Sequence, residues 1–184
     1  MPNLENSFRA LRVLHAARDL FNQHGFHKVG VDRIIAEARI SKSTFYNDFH
    51  SKERLIEMCL LVQKEHLKEK VRAVRESRQY PDLSLKLRQI YLLHADLKGA
   101  YYLLFKAIFE IKKLYPNAYK VVIDYRNWLI QEIYKLLLTL KVTASIEDAH
   151  LFLFVIDGAM VQLLGENQID DRDILLNYFL TMIN

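Results

Sequence analysis

The sequence predicts an all-α chain, with a small N-terminal unit of three helices and a larger helical body behind it. Three observations carry this prediction. Apolar residues recur at three- and four-residue spacing along most of the chain, the period of a helix with one buried face. Only 5 Gly and 3 Pro stand among 184 residues, too few for the turns of a many-stranded sheet. Ser41, Ser51 and Ser145 each stand directly before an apolar-periodic run, where helix N-caps belong. With 51% apolar residues, the chain can bury one sizeable core, or join a small module to a larger one.

In order along the chain, Phe8, Leu11, Leu14, Ala17 and Phe21 form one helical face, with Asn6 as a cap candidate and Gly25 as its stop. Ile34, Ile35 and Ala38 mark a second, short segment. Ser41 opens a third, anchored by Phe45 and Phe49. Ser51 opens a long helix over 52–78, roughly 40 Å at the helical rise. It ends before the break at Tyr80-Pro81-Asp82. The body is expected to add helices over 83–97, 100–114, 118–140, 146–164 and 171–183. The Val121-Val122-Ile123 run has strand propensity but sits inside a long helical pattern, so helix is retained. Asp170, Asp171 and Asp173 suit the start of the last helix, where the helix dipole favours acids. A domain boundary is expected at residues 50/51, giving units of 1–50 and 51–184.

Composition excludes several classes. One Cys rules out an intrachain disulfide and a Cys-only zinc site. Apolar runs are no longer than Leu151 to Ile156, far short of the ~20 residues of a membrane span. The first six residues lack the basic and apolar regions of a signal peptide. A cytoplasmic protein with no membrane partner is therefore expected. Residues 1–54 hold 9 Lys/Arg against 6 Asp/Glu, while residues 142–184 hold one against seven. The N-terminal third thus suits a polyanion and the C-terminal end does not. There is no Gly-rich phosphate loop, no Gly-x-Ser-x-Gly elbow and no His-Glu-x-x-His. Glu147-x-x-His150 is half of a di-iron helix signature, with no second copy in the chain. No enzyme activity, metal or cofactor is expected. Cys59 sits on an apolar face and reads as a buried, inert thiol.

Residues 25–55 are the most informative. Two short helices joined by a tight turn form a helix-turn-helix candidate. At 100° per residue, Phe45 and Phe49 share one face, and Ser43 and Asn47 point nearly opposite. Tyr46 and His50 flank that polar side on one edge and Thr44 on the other, with Lys42 nearer the margin. Asn can pair bidentately with adenine, and Ser or Thr can contact several bases. Tyr46 and Lys42 suit phosphates, and Arg33 on the preceding helix is a further contact candidate. The free N–H groups after Ser51, with the Lys52 charge, make a second phosphate clamp. On these residues alone, an ordinary amphipathic surface helix remains an alternative.

The stretch from Gly25 to Leu55 closely resembles the DNA-binding domain of tetracycline-repressor-type (TetR-type) regulators. Its most specific part is Ile40-Ser41-Lys42-Ser43-Thr44-Phe45-Tyr46-Asn47, followed by Phe49 and Ser51-Lys52-Glu53. The resemblance covers roughly residues 8–60. It implies a homodimer with helix-turn-helix heads and a helical C-terminal domain for ligand binding and dimerisation. By resemblance, Thr44, Tyr46 and Lys52 fall at usual DNA-contact positions, Tyr46 and Lys52 on phosphates. Ser43 and Asn47 fall where members read sequence. Three residues depart from the pattern. Gly30 replaces the usual Ser or Thr cap, and Arg39 replaces the usual turn Gly. Asp48 puts an acid on the recognition helix.

The implied function is that of a transcriptional regulator, a repressor released from a palindromic double-stranded operator by a small-molecule effector. The alternatives are a DNA binder without small-molecule control and a helical carrier with a vestigial head. The body is rich in aromatics, which suit an apolar or aromatic effector as well as plain packing. Tyr102, Phe105, Phe109, Tyr125 and Trp128 are the pocket candidates. Lys106, Arg126 or His94 could hold an anionic group. Asp157, inside an apolar helix, either serves a dimer seam or points into a pocket.

Overall fold

The computed structural model describes residues 8–139, 144–165 and 172–183. Among them run nine helices and no strand. The first four are α1 (Phe8–His24), α2 (Val31–Ala38), α3 (Lys42–Phe49) and α4 (Lys52–Glu76). The body adds α5 (Leu83–His94), α6 (Tyr101–Glu110), α7 (Pro116–Leu138), α8 (Ile146–Leu164) and α9 (Ile174–Ile183).

Local chemistry sets the helix ends. The Ser41 hydroxyl accepts the Thr44 N–H at the start of α3, and the Ser51 hydroxyl accepts the Arg54 N–H at the start of α4. The Asp82 carboxylate accepts the Leu85 N–H at 2.7 Å to open α5. Ser145 and Asp148 close a reciprocal capping box at the start of α8. Gly25 ends α1 with φ +82°, a conformation in which a Cβ is strained. The proposed Asn6 cap lies outside the described residues, as do Asp170 and Asp171.

Four predicted boundaries shift. α4 ends at Glu76 rather than at 78, because Ser77 turns extended. α5 stops at His94 rather than at 97. There the Asp96 side chain accepts the Lys98 N–H, and its carbonyl accepts the Gly99 N–H, so a turn replaces the last helical turn. α6 stops at Glu110, four residues before the predicted end. α7 begins at Pro116, two residues early, because Pro at the first helical position gives up no hydrogen bond. α9 is helical from Ile174, directly after Asp173, whose carbonyl accepts the Asn177 N–H. Val121, Val122 and Ile123 are helical.

α1, α2 and α3 wrap around Phe21, Phe26, Val29, Ile34, Phe45 and Phe49, all fully buried. α4 leaves this head and lies against α7, α5 and α6 in the body. One apolar core runs without interruption from Ala10 to Leu180. Cys59 is buried in it, and burial pushes its thiol up to about 12. None of the described helices is long and apolar enough to cross a membrane.

Candidate nucleic-acid interface

α3 is held from one side only. Phe45 and Phe49 are completely buried, with ring centroids 5.6 Å apart. Lys42, Ser43, Tyr46 and Asn47 are exposed on the other side, and Thr44 is half-buried. The Ser41 hydroxyl lies 2.9 Å from that of Ser43 and 2.8 Å from that of Thr44, so the cap also orients two hydroxyls of the polar face. Tyr46 stands edge-on to Phe45, with 44% of its surface exposed. His50 ends α3 with φ +63°, and its Nδ1 lies 3.0 Å from the Tyr46 carbonyl.

The flanking cations have particular settings. Lys42 Nζ lies 3.2 Å from the Asp32 carboxylate, and both groups are largely exposed. Arg33 donates from Nη2 to His24 Nε2 at 2.7 Å. Lys52 at the start of α4 lies over the Tyr115 ring, 5.6 Å from its centroid. Each of the three family departures has a definite geometry. Gly30 gives α2 no side-chain cap. Arg39 sits in the left-handed region at φ 52°, ψ 53°, while its N–H and that of Ile40 return to α2 carbonyls. Asp48 pairs with Arg9 on α1. A cleft of about 390 Å³ behind the turn is lined by Arg12, His15, Glu37, Ala38 and Arg39.

The head is strapped to the body through α6. Lys106 Nζ donates to the Phe21 and Asn22 carbonyls at the C-terminal end of α1, at 3.2 and 2.7 Å. The Glu110 carboxylate accepts the Phe26 N–H at 2.7 Å, and the Glu110 carbonyl accepts a bond from His27 Nε2. A Cβ on Gly25 would come within 2.8 Å of Glu110 Oε2. The Glu53 carboxylate of α4 accepts the Asn117 N–H of α7 at 3.1 Å. Sequence reasoning missed this seam, since its partners lie more than 60 residues apart.

Inside the body, a polar cluster joins α5, α6, α7 and α8. His94 Nδ1–H donates to the Ile90 carbonyl, and Nε2 accepts from the Tyr125 hydroxyl, both at 2.6 Å. Arg126 grips Asp157 with two bonds of 2.8 and 2.6 Å and donates to the Tyr101 hydroxyl at 2.7 Å. That hydroxyl donates onward to Asp157. Burial pushes His94 down to about 4, leaving it neutral at pH 7. Burial alone would lower Arg126, but Asp157 and Tyr101 more than offset it and hold the guanidinium charged.

The proposed pocket residues are only partly brought together. Phe105 and Tyr125 are buried; Tyr125 packs on Trp128 and Phe105 on Phe109. Phe109 itself is 69% exposed, and Lys106 faces α1 while lying over the Tyr102 ring. A second cleft, of about 480 Å³, opens at the far end of the body between Arg75, Lys86 and Lys135 and includes none of them. Glu147 and His150 are exposed, and no cluster of three metal-ligating side chains occurs among the described residues.

Comparison with known proteins agrees with the head's geometry. Residues 13–59 match the family model for bacterial regulatory proteins of the tetR family. Over 54 residues the chain is 41% identical to the HTH-type transcriptional regulator UidR of Escherichia coli (strain K12), covering 29% of this chain and 28% of that protein. The match therefore spans less than a third of the curated relative's length. Across the whole chain, similarity is one of fold. SCO4454, a TetR-family transcriptional regulator from Streptomyces coelicolor, superposes with a TM-score of 0.79 at 23% identity, covering 95% of this chain and 92% of that one. A TetR transcriptional regulator from Legionella pneumophila gives 0.75 at 14% identity, covering 94% and 93%.

Proposed function

We propose that this chain, a member of the TetR family of bacterial regulatory proteins, acts as a homodimeric repressor that a small molecule releases from a palindromic operator. In this reading residues 1–50 bind DNA, and residues 51–184 bind effector and dimerise. The observation that carries it is the one-sided anchoring of α3, whose polar face is exposed while two phenylalanines fix its back. Such a helix fits the major groove. Lys42, Ser43, Thr44, Asn47 and His50 would meet bases or nearby phosphates, and Arg33, Tyr46 and Lys52 the phosphate backbone.

A second copy is supported by the apolar faces of α8 and α9. Phe154 is 61% exposed, Val161 57%, Ile174 58% and Tyr178 65%, a patch that water alone would cover poorly. Pairing these faces gives two heads, and successive half-sites lie about 34–36 Å apart on B-DNA. Effector release is supported by the strap between α6 and α1. A ligand that draws α6 or its Lys106 aside would alter the seat of α1 and the tilt of α4, and so the head spacing. It can do so only by favouring one arrangement over the other. An effector with an apolar or aromatic body fits the surroundings of Tyr102, Phe105, Tyr125 and Trp128. One observation favours the second reading, a DNA binder without small-molecule control: the polar atoms of His94, Tyr101, Tyr125, Arg126 and Asp157 already satisfy one another.

Selection and sequencing of bound genomic fragments tests the DNA reading. Enrichment of a palindromic site supports it, and binding no tighter than to random duplex overturns it. A thermal-shift screen of aromatic and aliphatic acids, repeated with operator present, separates the two readings of the body.

A further inference from the structure

We propose that Arg9 is a positioning residue for the recognition helix: it neutralises the Asp48 carboxylate of α3 and fixes α3 against the first turn of α1. The inference rests on the DNA-binding reading above. Asp48 stands directly before the buried Phe49, on the edge of α3 that faces α1, and its side chain is only 16% exposed. Both carboxylate oxygens are engaged, Arg9 Nε with Oδ2 at 3.1 Å and Arg9 Nη2 with Oδ1 at 3.2 Å. A fork of this kind sets orientation as well as charge, which a single lysine contact cannot do.

The setting makes the pairing consequential. Duplex DNA presents about one negative charge per 1.7 Å of axis. A bare carboxylate on the helix that enters its groove would oppose docking, and like charges brought together cost several kcal/mol at an interface. Arg9 cancels that charge without displacing it. The exposed Lys42–Asp32 pair differs, because both partners are open to water and can exchange freely. Partners 39 residues apart also tie α1 to α3 directly, on the side opposite α2's turn.

The test compares the full chain with Arg9→Met, Asp48→Asn and the double variant, on a genome-selected fragment and on random duplex, over a range of salt. Arg9→Met should weaken binding to the selected fragment on the order of tenfold. It should leave the salt slope unchanged, whereas a lost phosphate contact lowers it by about 0.9. Adding Asp48→Asn to Arg9→Met should restore affinity to within about twofold of wild type. Thermal unfolding of each variant reports whether the head still folds. A double variant as weak as Arg9→Met, or a reduced slope, would mean that Arg9 touches phosphate itself and overturns the proposal. Undiminished binding by Arg9→Met overturns it as well. A wild type that prefers no fragment over random duplex fails the DNA reading instead, and takes this proposal with it.

Discussion

Three residues store or spend most of the local free energy. Arg39 holds a left-handed backbone that costs a side-chain-bearing residue about 1–2 kcal/mol. Arg39→Gly is therefore expected to raise stability, by up to about 1 kcal/mol after the entropy of the new glycine is subtracted, as read from denaturant midpoints at constant slope. Gly25 is the converse case. Gly25→Ala would meet both a positive φ and the Glu110 carboxylate, and should lower stability by about 1–2 kcal/mol in the same measurement. His94 couples stability to pH. Its folded pKa near 4 lies below the ordinary 6.5, so the unfolded chain takes up a proton that the folded chain refuses. The resulting stability is fully present above about pH 6.5 and is lost as pH falls toward 4, on the order of 3 kcal/mol in all. Tyr125, Tyr101, Arg126 and Asp157 surround the ring and are not replaced by water. His94→Gln should flatten the stability–pH curve across that window; an unchanged slope would refute the assignment. The left-handed turn at Arg39 and the cap at Ser41 are legible from local sequence. The Arg126–Asp157 grip is not, because no pattern along the chain signals a pairing across 31 residues.

At the scale of elements, α3 is the clearest case. Its buried and exposed faces follow from helical period alone, since Phe45 and Phe49 are four apart. The proposed roles divide by chemistry. Tyr46→Phe and Lys52→Ala should weaken binding on all duplexes and reduce its salt dependence, because phosphates carry no sequence information. Lys52→Ala also removes the contact with Tyr115, so its effect should reach the seam between head and body. The ends of α5, α6 and α7 were less legible. A side-chain turn at Asp96 truncated α5, and Pro116 began a helix where a break was expected. Both outcomes are local competitions between hydrogen-bond partners, decided by tertiary packing. The α6 strap lay beyond sequence reasoning for another reason: Lys106 and Glu110 look like ordinary surface charges until α1 is folded beside them.

For the whole molecule, the fold class, the head and the long α4 follow from periodicity and caps. The arrangement of the body does not, because α5 to α9 are apolar on several faces and could pack in more than one order. The exposed faces of α8 and α9 define what remains to be covered. Phe154→Asp should convert the dimer to monomer, and it should lose palindromic operator binding while the head keeps its fold. Sedimentation and circular dichroism check the two parts separately. The central claim is that the polar side of α3 reads base edges. The most direct measurement is the binding profile of wild type and Asn47→Ala over every single-base variant of the selected operator. Asn47→Ala should relax preference at one position in each half-site, by roughly 1–3 kcal/mol, and leave the other positions as they were. A uniform loss over all positions, or an unaltered profile, would contradict the claim that this face of α3 enters the groove.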